Sequence, residues 1–377
     1  MRKWLKLKPL MAKSGEMLHL DALRFLAALG IVFHHSKEFM LSSAANERSD
    51  GLALFVDMFF IISGYVISYM YFGRIDDLSS YGGFLKKRIA RLFPLHLLTL
   101  IVSAILYAGF SALQLPSRHT PSFSPLCIAD TILLLHTIIE CGNRQYFNGV
   151  NWSISVEMMM YIGFPIAIIL ARSARQRDVF VIATICVAII LGALYRYGLD
   201  FGVHDWIDTD RFHPLLRGVF GFGIGVALFR LRHLLEPFTP PIPILAGGLL
   251  AIVAAMLSGQ SPLLILALII LLVTGAAARD LYAAATPGLT QIAPLGQLTY
   301  SIYMWHNLFI LVLINIVGDK LMKGSGIAIV ALSLVCYACI FATSLISFHL
   351  FEVPMRRAID GISVFGKARA QKSSVAS

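Results

Sequence analysis

Arg24 and His35 stand eleven positions apart in LDALRFLAALGIVFHH, a stretch otherwise as apolar as a membrane span. At about 100° per residue that is three turns plus about 20°, so a guanidinium and an imidazole share one helix face about 16 Å apart. Asp21, three residues before Arg24, joins the stripe and can pair with it. An ionised group at a bilayer centre costs roughly 2.5–3.5 kcal/mol on insertion scales, so these residues call for a use. The chemistry they offer is anion binding at one end and proton transfer at the other. The plainer alternative is a neutralising Asp21–Arg24 pair at an interface, with the histidines capping the far end. His34 points about 100° away from the stripe and is read as packing.

Other segments add partners. In NWSISVEMMMYIGFP, Ser153, Glu157 and Tyr161 recur every fourth residue as a polar stripe behind Trp152, and a carboxylate at that depth could orient an imidazole acting as general base. FVDMFFIISGYVIS carries Asp57, a second candidate for that role, and Ser63 beside Gly64, where interhelical packing is the default. Arg217 could answer one of these carboxylates or reach an interface. KKRIARLFPLH places Arg88 and Arg91 just before an apolar span, with Pro94 expected near the helix start. Guanidiniums three apart can grip phosphates or hold anionic lipid. In GQLTYSIYMWHNLF, Thr299, Tyr303 and His306 fall on neighbouring helix positions and are read as pocket lining, with a satisfied buried histidine as the alternative.

The elements that must position these groups are membrane helices. Of 377 residues 58% are hydrophobic and only 14% charged, where a globular domain carries about 25% charge. Runs of about 20 apolar residues recur, and spans are expected near 18–36, 51–72, 94–114, 153–171, 178–198, 213–232, 243–258, 262–278, 297–317 and 326–351. The fold class is thus an all-α polytopic membrane protein of about ten helices in one bundle. Residues 128–139 are expected to form a short helix that does not cross. With ten spans and a cytoplasmic N-terminus, 21 lysines and arginines fall inside and seven outside, as the positive-inside rule requires. Both termini are then cytoplasmic, in an inner (cytoplasmic) membrane. The net charge of +10 belongs to these loops, so no nucleic acid is expected as a partner; membrane lipid is.

The chain divides into a basic N-terminal segment, 1–17, a transmembrane domain, 18–355, and a cytoplasmic tail, 356–377, expected to be disordered. MRKWLKLKPLMAK resembles the start of a secretory signal, but the charges that follow argue for a retained first span. Five cysteines show no metal pattern, and no metal is expected. Cys336 and Cys339 are read as packing residues. Cys127 and Cys141 would sit about 20 Å apart on one continuous helix; a bridge between them requires that helix to break.

Taken together, LDALRFLAALGIVFHH, VDMFFIISGYVIS, KKRIARLFPLH, NWSISVEMMMYIGFP, LGQLTYSIYMWH and FEVPMRR resemble the acyltransferase 3 family of integral membrane proteins, in family order and over nearly the whole chain. The resemblance implies transfer of an acyl group, most often acetyl, from cytoplasmic acyl-CoA to a hydroxyl of an extracytoplasmic carbohydrate, such as exopolysaccharide, O-antigen or a lipid-linked sugar. It makes His35 the essential histidine, Arg24 its partner, Arg88 and Arg91 the basic motif for the donor, and Glu157 the carboxylate of the Trp-Ser motif. No bound cofactor is implied; acyl-CoA is a substrate. Two departures stand out: the motif histidine is doubled, and the chain stops soon after its last span, without the esterase-like domain of some members, so an extracytoplasmic partner enzyme could complete delivery. The rival reading of the same buried charges is a proton-coupled transporter or exporter.

Overall fold

The computed structural model describes residues 10, 17–75, 77–115, 121–139, 141, 147–172, 202–207, 213–283, 286–321 and 326–362. Among them there is no strand. The principal helices are α1 (Leu18–Ser36), α2 (Phe55–Tyr71), α3 (Leu78–Ala112), α4 (Pro125–Ile132), α5 (Asn151–Arg172), α6 (His213–Arg230), α7 (Ile242–Leu257), α8 (Pro262–Tyr282), α9 (Thr299–Phe309), which continues as a π-helix over Ile310–Leu321, α10 (Gly326–Ser347) and α11 (Val353–Gly361). Five helical stretches among the described residues are long and apolar enough to cross a membrane: Ser43–Tyr71, Leu78–Ala112, Pro262–Tyr282, Leu289–Gly318 and Gly326–Gly361. That is fewer than the ten expected. The proposed span 178–198, nearly all of the basic segment 1–17 and the tail beyond residue 362 lie outside the described residues.

Two local features correct the sequence reading, and a third meets a condition that it left open. First, α3 does not begin at Pro94 but at a capping box 17 residues earlier, where the Ser80 amide donates to the Asp77 carboxylate at 2.7 Å and the Asp77 amide to Ser80 Oγ at 3.1 Å. These hydrogen bonds hold the Asp77 carboxyl below its ordinary value of 3.8 and satisfy amides that a helix start leaves free. Pro94 is therefore inside a 35-residue helix, and Arg88 and Arg91 are helical residues. Second, the chain does not end its order at 355. A π-helical turn, Phe348–Glu352, in which the Val353 amide donates to the Phe348 carbonyl oxygen, carries α10 directly into α11. Third, α4 stops after eight residues, too short to cross, and Leu134 turns the chain with φ 58°. That break brings Cys127 to Cys141, and the two are disulfide-bonded with Cα atoms 5.3 Å apart.

The bundle is seamed by small residues. A Cβ on Gly64 of α2 would lie 2.1 Å from the Phe222 carbonyl oxygen of α6, and one on Gly225 would lie 2.1 Å from that of Ile61. Only glycine permits so close a backbone approach. The start of α1 is fixed from α8: the Asp280 carboxylate accepts the His19 and Leu20 amides at 2.9 and 3.1 Å and contacts the His19 ring at 2.6 Å. An acid on the exposed amides of a helix N-terminus is favoured by charge as well as by hydrogen bonding. These contacts set the register in which α1 presents Asp21 and Arg24.

Candidate functional site

A cavity of about 540 Å³ opens where α1, α2, α3, α5, α9 and α11 meet. Arg24 and Asp21 reach it from α1, Arg88 and Arg91 from α3, Glu157 and Tyr161 from α5, and Arg356 from α11. The three-residue spacing of Arg88 and Arg91 puts both on one face of α3. Four guanidiniums thus meet two carboxylates in one enclosure. Arg24 Nη1 reaches Asp21 Oδ1 at 3.5 Å. Arg88 donates from Nη2 to the Tyr71 hydroxyl at 3.2 Å and packs over the rings of Tyr71, Phe84 and Tyr161 at 5.3–5.8 Å. Its buried Nε–H finds no acceptor among the described residues. Arg91 lies 5.9 Å over the Tyr300 ring. None of Arg88, Arg91 and Arg356 forms an ion pair among the described residues, so aromatic faces take the place of anions.

Glu157 stands in the same cavity, accepting from the Tyr161 hydroxyl and from Ser63 Oγ at 3.2 Å. The stripe of every fourth residue on α5 therefore folds as expected, but its carboxylate faces the arginines. Neither Glu157 nor Asp57 hydrogen-bonds to His35 among the described residues. One turn along α5 from Glu157, Ser153 Oγ and the Tyr303 hydroxyl are 2.7 Å apart, and both line the cavity.

Beyond Tyr303 the chemistry changes from guanidinium to imidazole. The Tyr303 and His306 ring centroids are 5.5 Å apart, His306 and His35 5.2 Å, and His35 and His34 5.1 Å. Of the doubled pair, His35 is the one whose ring meets His306. His306 is fully buried and donates from Nδ1 to the Tyr303 carbonyl oxygen at 2.7 Å. With Nδ1 carrying the proton, the neutral ring has a bare Nε2, which has no partner among the described residues. His35 is exposed at its end of α1 and does not itself line the cavity. The Arg24–His35 stripe thus runs from the cavity wall to a histidine series that begins behind Tyr303.

Asp57 does not line the cavity. Its carboxylate takes Arg217 Nη2 at 2.7 Å and Nε at 3.3 Å, and Trp206 Nε1 at 3.1 Å; both charged side chains are essentially inaccessible, at 0% and 1% exposure. Trp152 stacks on the same guanidinium at 5.0 Å. Asp57, expected as an orienting acid for His35, is instead one half of a closed ion pair, because Arg217 of α6 sits directly across the glycine seam. Arg356 is the reverse case: the sequence reading placed it in a disordered tail, and the structure puts it in the cavity wall. Its only sequence signal was the FEVPMRR segment. Thr299 lines the cavity with Tyr303, as its spacing suggests; Gln297 and Tyr300 also line it and carry no signal beyond lying next to Tyr303.

The acyltransferase domain family profile matches residues 17–347. The chain is 36% identical over 99 residues to "Protein 2 in picA locus" of Rhizobium radiobacter, covering 26% of this chain and 49% of that protein. It is 26% identical over 167 residues to "Acyltransferase MdmB" of Streptomyces mycarofaciens, covering 42% and 41%. It is 27% identical over 222 residues to "Putative O-acetyltransferase SAS0844" of Staphylococcus aureus, covering 55% and 34%. The matched stretches thus span between a third and a half of each relative. No solved structure matches the chain.

Proposed function

From the premise that the chain belongs to the acyltransferase domain family, we propose that it moves an acetyl group from acetyl-CoA to a hydroxyl of a carbohydrate on the far side of the membrane. The observation that carries this reading is the single enclosure that joins Arg24, Arg88 and Arg91 at one end to the Ser153–Tyr303 wall at the other, next to the histidine series. Arg88 and Arg91 hold phosphates of the donor, since planar guanidiniums bind phosphate oxygens through several hydrogen bonds at once. Arg24 takes a further anionic or carbonyl group. The pantetheine arm, whose extended length is comparable to the Arg24–His35 separation, passes Glu157, Ser153 and Tyr303. The thioester then lies near His35.

His35, neutral and exposed, removes the proton of the acceptor hydroxyl as its oxygen attacks the thioester carbonyl carbon. The C–S bond breaks, and the thiolate takes the proton back from the imidazolium, so an ester and free CoA leave. His306 stands beside His35, with ring centroids 5.2 Å apart, and its Nε2 is bare. Transfer through an acylated His35 balances equally well, with the ring nitrogen first displacing CoA and the acceptor oxygen then displacing the ring.

The orientation belongs to the same proposal: about ten spans, cytoplasmic termini, and the arginine end of α1 toward the cytoplasm in the inner membrane. The Cys127–Cys141 bridge supports it, because disulfides persist in oxidising compartments and the positive-inside count places that segment outside. Membrane-impermeant maleimide should label both cysteines from outside after reduction. The decisive experiment is purified protein with radiolabelled acetyl-CoA: His35-dependent release of label to an added glycan supports the enzyme, whereas solute movement into proteoliposomes without thioester cleavage would make it a transporter. Mass spectrometry of surface glycans from a deletion strain and its parent, screening exopolysaccharide and O-antigen, identifies the acceptor.

A further inference from the structure

Arg356 is the one guanidinium of the cavity that the donor reading leaves without a role. It stands on α11, the helix after the last apolar stretch, and two contacts hold that helix to the cavity wall. At its C-terminal end Lys86 Nζ donates to the Asp360 carbonyl oxygen at 2.7 Å and to that of Ile362, so an ammonium from α3 caps the negative end of the helix. Just before its N-terminal end the Glu352 carboxylate, buried in the bundle, accepts from Ser301 Oγ and from Ser347 Oγ at 3.3 Å. Lys86 precedes Arg88 and Arg91 on the same helix. The element that supplies Arg356 is therefore tethered to the element that supplies the other two. Between these anchors Arg356 is half-buried and lines the cavity, while its neighbour Arg357 is exposed.

We propose that Arg91 and Arg356 form a subsite for a phosphate group of the donor, with α11 as its wall. This rests on the donor reading above. Four guanidiniums line the cavity against the carboxylates of Asp21 and Glu157, and the buried Glu352 beside the wall acts on both Arg91 and Arg356, so cations still outnumber acids. Like charges gathered in a partly desolvated enclosure repel one another, and a phosphomonoester, with about −1.5 to −2 charge near neutrality, relieves that repulsion. Two guanidiniums from two helices also match the several oxygens of a phosphate better than one does.

The test is calorimetric titration of coenzyme A into the full chain in phosphatidylcholine nanodiscs, comparing wild type with R356Q, R356K, R357Q and the double variant R88Q/R91Q. Each is first checked for a monodisperse, cooperative unfolding transition. The expected result is a Kd raised about tenfold or more by R356Q, a smaller rise for R356K, which keeps charge without the fork, and no change for R357Q. Wild-type affinity in R356Q alongside weakened binding in R88Q/R91Q would overturn this subsite and leave the donor reading standing. Unchanged affinity in both would remove the donor reading itself. In a second arm, nanodiscs carrying phosphatidylglycerol distinguish the source of the phosphate. Loss of retained phosphatidylglycerol in R356Q with coenzyme A affinity intact would assign the subsite to lipid and overturn the proposal. Should R356Q fail to fold, R356K decides: coenzyme A affinity equal to wild type counts against the subsite.

Discussion

Two buried sets of arginine and carboxylate lie side by side in this bundle and are built in opposite ways. At the Asp57–Arg217 pair each charge has its partner: two guanidinium nitrogens on the carboxylate, an indole N–H on the same acid, and the Trp152 ring over the cation. At the cavity, guanidiniums outnumber acids, an N–H of Arg88 has no acceptor among the described residues, and tyrosine faces do the work of counter-ions. The first set is finished without a ligand. The second is charge-unbalanced, which a fold tolerates only beside space that an anion can fill. Balance, rather than burial or cost, separates a structural ion pair from a binding site.

The largest effect that would break this contrast is at the closed pair. Removing one partner of a buried ion pair strands the other charge, at about 3–5 kcal/mol. Asp57→Ala or Arg217→Ala should therefore abolish a cooperative thermal transition or lower it sharply, whereas the double change D57N/R217Q should cost less than the sum of the single ones. If Asp57→Ala left the melting point intact while abolishing acetyl transfer, Asp57 would be a catalytic acid and the contrast would be false.

Next in size is the histidine end. A positioned general base contributes about 10²–10⁴-fold, so His35→Ala should reduce acetyl transfer by that factor with coenzyme A affinity and melting point unchanged, and His34→Ala should retain much of it. Reversal of the two would mean that α1 presents His34 to the acceptor. Smaller again is the cavity end. Arg88→Gln with Arg91→Gln should raise the coenzyme A Kd by tenfold or more, since charge-assisted hydrogen bonds contribute about 1.5–3 kcal/mol. The melting point should hold or rise, because like-charge repulsion is relieved. The opposite signs on stability at the two arginine sets are what the comparison stands on.

Much of this arrangement can be read from sequence because helices impose a period. The Arg24–His35 stripe, the Ser153–Glu157–Tyr161 stripe and the Arg88–Arg91 spacing each fix a shared face without tertiary information. What period does not fix is which helix lies opposite. Arg217 was recognisable as a partner for some carboxylate, but only the Gly64–Gly225 approach of α2 to α6 selects Asp57. Arg356 was illegible for a related reason: it follows the last apolar run, and nothing local reports that α11 packs against α3. Pro94 misled because proline favours a helix's first turn, while the true start at Asp77 lies in a polar stretch that reads as loop. The Cys127–Cys141 bridge depended on Leu134 adopting a positive φ, a conformation that leucine rarely takes and does not announce.

The smallest expected effect is the most direct probe of balance. Glu157 is the acid that tempers the arginines, held by Tyr161 and Ser63 rather than by a guanidinium contact. If the cavity is an anion site kept partly neutral until the donor arrives, Glu157→Gln removes one negative charge without changing shape. Coenzyme A should then bind a few-fold more tightly, because its phosphates meet a more positive enclosure. The melting point of the ligand-free protein should fall slightly, because repulsion among Arg24, Arg88 and Arg91 loses one of the acids that offset it. Acetyl transfer per bound donor tells the remaining roles apart. If it is retained, Glu157 acts only on charge; if it drops by the factor expected for His35, the carboxylate acts on the imidazole after all, by a rearrangement that closes the gap across Tyr303. Weaker coenzyme A binding in this variant would show that the arginines need Glu157 to hold them in place, and that the cavity is a balanced structural network like the one at Asp57.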